Sequence, residues 1–121
     1  MRYQFHRTRG GQVIWRLVGL NNRILGVSPG SFAGVQAAAE AVQNVRDRAS
    51  AGSVAVARDA TRRWRWSIVD AEFGVLAVAS HGYELRITCE AAVQRFMESA
   101  TSAVIDETLG RRGRFWRPTA E

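Results

Sequence analysis

A chain of 121 residues, 46% hydrophobic and 23% charged with a formal net charge of +6, can build one core and is too short for two ordinary domains. That balance excludes disorder over most of the length, and no apolar run approaches the ~20 residues that a membrane-spanning helix needs. The single cysteine, Cys89, excludes both an intramolecular disulfide and a cysteine-rich zinc site.

From Met1 the chain goes straight into strand-like alternation, with no apolar signal-peptide core behind Arg2, so a cytoplasmic location is expected. Residues 3–7 and 12–18 form a predicted hairpin around Arg9-Gly10-Gly11-Gln12, because a Gly-Gly turn takes positive φ at little cost. Val13, Trp15 and Leu17 share one face of the second strand, and Arg16 points to the other. Asn21-Asn22 turns the chain into a third strand over residues 23–28, which Ser28-Pro29-Gly30 ends. From about Gly34 the spacing becomes helical, with Val35, Ala38, Val42 and Val45 on one stripe.

The pattern then starts again. A shift of 51 positions pairs Arg7 with Arg58, Trp15 with Trp66, Leu25 with Leu76 and Val27 with Val78, and the run Ala41-Val42-Gln43 with Ala92-Val93-Gln94, with no gap. Trp64, Trp66 and Ile68 repeat the buried face and Arg65 the outward one; Leu85, Cys89, Ala92, Val93 and Phe96 form the second helical stripe. Val104 to Thr108 falls one further period on and predicts a short closing strand over about 103–108.

The expectation is therefore an α+β fold: two tandem β-β-β-α repeats, about 3–50 and 54–101, forming one antiparallel sheet with both helices on its Trp face. Residues 1–109 make a single domain, and 110–121 a basic flexible tail. In the register of the repeat Cys89 is a buried structural thiol.

Together these segments resemble the YegP-like family, small bacterial and archaeal proteins made of one or two β-β-β-α units. The resemblance rests on Val13-Ile14-Trp15-Arg16-Leu17, Asn21-Asn22-Arg23-Ile24-Leu25-Gly26 and Ser28-Pro29-Gly30 in the first copy. In the second it rests on Trp64-Arg65-Trp66-Ser67-Ile68, Gly74-Val75-Leu76-Ala77 and Ser80-His81-Gly82-Tyr83, and it covers residues 3–109. Asn21-Asn22 stands where the family tends to have Asn-Gly. The resemblance implies one sheet shared by both repeats and no activity.

Chemistry-bearing residues are sparse. His6 and His81 have no second imidazole or thiol at ligand spacing, so no metal or cofactor is expected; His6 is read as a surface histidine and His81 as a loop residue. Ser80, His81 and Asp70 could compose a triad, but no nucleophile-elbow pattern supports it, and Asp106 and Glu107 point to opposite faces of a strand. No catalytic set is therefore assigned. Trp15, Trp64 and Trp66 belong to the core by parity, and Arg7 and Arg58 either lie over the Trp face or pair with acids such as Asp59.

Every basic side chain is arginine. Seven fall in residues 1–50 and four in the tail, whereas residues 51–110 carry six against eight acids. The reading that follows is a non-enzymatic module for a protein partner or self-association, through a sheet edge or the tail aromatics. The alternative is a nucleic-acid binder using Arg9, Arg16, Arg62, Arg63, Arg65, Arg111, Arg112, Arg114, Trp116 and Arg117.

Overall fold

The computed structural model of the chain describes residues 1–106. Strands β1 (Arg2–Arg7), β2 (Val13–Val18) and β3 (Ile24–Val27) lead into helix α1 (Val35–Arg48). Strands β4 (Ser53–Arg58), β5 (Trp64–Asp70) and β6 (Gly74–Val78) lead into α2 (Arg86–Ala100), and β7 (Val104–Asp106) ends the described chain. Hydrogen bonds repeat in the same register: Val13 and Phe32 exchange backbone bonds at 2.8 and 2.7 Å, and Trp64 and Tyr83, 51 positions on, at 2.7 and 2.8 Å.

All strands lie in one seven-stranded sheet of order β4-β5-β6-β3-β2-β1-β7. The two units meet at its centre, where β3 and β6 pair antiparallel through Val27 and Val78. α1 packs over β1, β2 and β6 and α2 over β3, β4 and β5, so each helix lies partly on the other unit's strands. Among the described residues every strand pairing is antiparallel except one. β7 runs parallel to β1, Arg2 opposite Val104 and Gln4 opposite Asp106, which corrects the expectation of a wholly antiparallel sheet. By the register of the repeat, the slot antiparallel to β2 is already held by β1, with Arg2 opposite Val18. β7 therefore adds outside β1. The end of α2 delivers the chain beside the start of that strand, where the Tyr3 hydroxyl donates to the Ala100 carbonyl at 2.6 Å, so both strands run the same way.

The helix-bearing face holds the core. Val13, Trp15 and Leu17 of β2 and Trp66 and Ile68 of β5 are buried there against Ala38, Val42 and Val45 of α1 and Cys89, Ala92, Val93 and Phe96 of α2. Phe96 joins the two tryptophans, its ring stacked 6.4 Å from Trp15 and tilted 5.0 Å from Trp66, and Tyr3 meets the Trp15 edge at 5.6 Å. The ring lies directly on the β3 backbone. A Cβ on Gly26 would come within 2.5 Å of Phe96 and 2.8 Å of Trp66, so only glycine fits. At the equivalent positions the other unit has Val45 in α1 and Ala77 in β6, a smaller side chain opposite a larger backbone position.

Simple alternation would send Leu25 and Val27 to one face. Instead β3 carries an extra residue, since Leu17 pairs with Gly26 and Val18 with Ile24, and β6 repeats the bulge at Leu76. Leu76 and Ala77 are consequently both buried. Three other expectations change. Leu85 precedes α2 and is 62% exposed, because the helix starts only at Arg86. Trp64 is half-buried, unlike Trp15 and Trp66, because it lies at the end of β5 with the guanidiniums of Arg58 and Arg86 over its ring at 5.0 and 5.2 Å. His6 occupies the helix-free face as parity requires, opposite Ile14 in the β1–β2 ladder, yet it is buried and not a surface histidine.

Replacing Gly26 with Ala is expected to lower stability by about 1–3 kcal/mol through overpacking against Phe96 and Trp66, and Phe96→Ala by about 3–5 kcal/mol. Urea unfolding followed by tryptophan fluorescence measures both.

Candidate functional site

The two predicted arginine hairpins share a frame and differ in their locks. In the first, Thr8 and Gln12 close the turn and Gly11 takes a φ of 83°. In the second, Asp59 and Arg63 close it, and the residue in Gly11's place is Arg62, held at a φ of 67°. The Asp59 carboxylate compensates for that left-handed residue. It accepts hydrogen bonds from the Thr61 amide at 2.8 Å, the Thr61 hydroxyl at 2.5 Å, the Arg63 amide at 3.1 Å and the Arg65 guanidinium at 2.8 Å. These bonds, led by the Thr61 hydroxyl and Arg65, hold its pKa well below the usual carboxylate range.

The sheet does not gather the predicted arginines on one surface. Neighbouring strands alternate in direction from β1 to β4, so the β1–β2 turn with Arg9 and the β4–β5 turn with Arg62 and Arg63 lie at opposite ends. Arg65 is committed to Asp59. Arg16 stands on the helix-free face opposite Val27, half-buried. Arg111, Arg112, Arg114, Trp116 and Arg117 lie outside the described residues.

The composed triad is also taken apart. Ser80 and His81 are neighbours, Oγ to Nδ1 at 3.1 Å, beyond the end of β6. Asp70 ends β5 at the other end of the sheet, where it accepts from the Glu72 and Phe73 amides, both at 2.9 Å, and faces Arg48 at 3.6 Å. Those backbone bonds lower its pKa, as suits a turn carboxylate rather than a proton carrier. Cys89 is buried, and desolvation pushes its thiol up, away from the thiolate that a nucleophile requires. Among the described residues no three His, Cys, Asp or Glu side chains come together to hold a metal, and no helix is long and apolar enough to cross a membrane.

The sheet ends in β4 on one side and in the short β7 on the other, and the longer open edge is β4. Among the described residues β4 pairs only with β5, and five of its six residues are exposed. It contains no proline, lysine or bulge, the devices that usually blunt an edge. Its counterpart β1 is flanked by β2 and β7. The sequence pattern of β4 resembles that of β1, so only the topology shows which of them ends the sheet.

Two solved structures share this architecture. The chain superposes on a UPF0339 protein from Shewanella oneidensis with a TM-score of 0.73 and 14% identity, over 86% of this chain and 87% of that one. It superposes on the protein yegP from Escherichia coli, described as of unknown function, with a TM-score of 0.73 and 11% identity, over 86% and 89%. The fold is the YegP-like one. No family model matches the sequence and no curated protein is similar to it, so the shared property is architecture.

Removing the Asp59 carboxylate is expected to destabilise the chain above the carboxylate range and not below it. The folded-state pKa is depressed, so the stabilisation is complete above the unfolded value of about 4 and is lost as pH falls through the folded one. Thermal melts of wild type and Asp59→Ala should therefore differ at neutral pH, and the difference should shrink steadily as the pH falls below about 4.

Proposed function

We propose that the chain is a non-enzymatic interaction module that takes up an extended strand along β4, and that a second copy of the chain supplies that strand. The observation that supports this is the unblunted β4 edge, whose outer backbone N–H and C=O groups pair with no strand among the described residues and can bond a partner strand. Its side chains suit a flat approach: Ala55 and Ala57 are small, and Val54 is 44% exposed. Antiparallel pairing of two β4 strands brings Arg58 opposite Ser53, whereas in-register parallel pairing would set like charges side by side. The arginine hairpins at opposite ends of the sheet give a nucleic-acid reading less support, since they form no continuous basic surface.

Sedimentation equilibrium of the full chain across micromolar to submillimolar concentrations is expected to show a dimer. The double variant Val54→Lys, Ala55→Lys should be monomeric with an unchanged far-UV circular dichroism spectrum. A wild type that stays monomeric throughout, or a dimer that survives both lysines, would contradict the proposal.

A further inference from the structure

The fold builds the same cleft twice, once at each end of the sheet. One cleft, about 470 Å³, lies between the β2–β3 turn, the loop that follows β6 and the flank of α2. Its counterpart, about 270 Å³, lies between the β5–β6 turn, the loop that follows β3 and the flank of α1. The floors match position by position: Ile24, Leu25 and Ala92 in the larger cleft become Val75, Leu76 and Ala41 in the smaller.

The rims do not match. Where the larger cleft has Arg23, His81 and Arg95, the smaller unit has Gly74, Gly30 and Asn44 at the equivalent positions. Tyr83 corresponds to Phe32 and Asn22 to Phe73, so each change adds a polar or charged group to one cleft only. The scaffold is satisfied by the plain version. The polar rim is therefore an addition that packing does not require.

That addition has a definite chemistry. Arg23 comes from one unit and Arg95 from the other, no acidic side chain lines the cleft, and neither arginine forms an ion pair among the described residues. Both arginines line the same cleft as Tyr83, whose phenol is pushed up mainly by burial and drawn back in part by Arg95 and Arg23. The His81 and Tyr83 rings lie 4.3 Å apart, tilted at 41°, and form an aromatic wall, with the Ser80 hydroxyl bonded to His81. Two arginines on the rim of one cleft, neither ion-paired among the described residues, favour an anion with two or more oxygens, and a cleft of this size admits a small molecule.

We infer that the cleft between the β2–β3 turn and α2 binds a small organic anion, its phosphate or carboxylate head held by Arg23 and Arg95 and its body against His81, Tyr83 and the apolar floor. This site is separate from the β4 edge.

The test is a titration of the isotope-labelled full chain by two-dimensional NMR at low ionic strength, with inorganic phosphate, citrate and adenosine monophosphate as probes. Saturable shifts are expected at Arg23, His81, Tyr83 and Arg95 with at least one probe, and none at Asn44 and Phe73 in the paired cleft. The probe that binds tightest names the head group. Arg23→Gln and Arg95→Gln should each weaken that probe about ten-fold or more, while Phe73→Ala leaves it unchanged. Absence of saturable binding at tens of millimolar, shifts of equal size at Arg9 and Arg48, or glutamine variants that bind like wild type would each overturn the inference.

Discussion

Phe96 resting on Gly26 is the contact on which the rest of the molecule depends. The ring comes from the last third of the chain, the glycine from the first, and Trp15 and Trp66 close on the same ring from the two central hairpins. Neither unit buries its tryptophan alone. Each helix lies partly over the other unit's strands, so the shared sheet gives each unit apolar cover that it does not supply by itself. The strict approach at Gly26, relaxed to Ala77 and Val45 on the other side, shows that the two halves are no longer interchangeable.

Much of this was legible in the sequence because strand parity is a strong signal when the buried residues are tryptophans. Trp15 and Trp66 declare a face, the helical stripes declare its cover, and the 51-residue register ties the two together. The turn at Asn21-Asn22 was legible too, and the structure adds that both residues adopt left-handed φ values of 60° and 57°. What escaped depends on position in three dimensions. The bulges at Leu25 and Leu76 leave no mark on an apolar run of that length. The direction of β7 follows from β1 already occupying the slot beside β2, and the separation of the arginine hairpins follows from strand order.

The differences between the two units carry the functional information. Symmetry makes each unit an internal control for the other: a residue present in both serves the frame, and a residue present in one serves something else. By that standard Arg7 and Arg58 recur and stay near their own hairpins, Arg7 bonding the Gly11 carbonyl at 3.2 Å and Arg58 covering Trp64. The exposed β4 edge and the rim of Arg23, His81 and Arg95 do not recur. Sequence alone could not join Arg23 to Arg95, because the turn and the helix that bear them meet only when β3 and β6 pair at the centre of the sheet.

The central claim, that the Trp15–Phe96–Trp66 cluster makes two units into one cooperative body, is tested most directly by native-state hydrogen exchange. Amides of β2 and of β5 should open with the same free energy in the wild type, and Phe96→Ala should lower both by the same amount. If that substitution weakens β5 and leaves β2 at its wild-type value, the two units are separate folding bodies and the account is wrong.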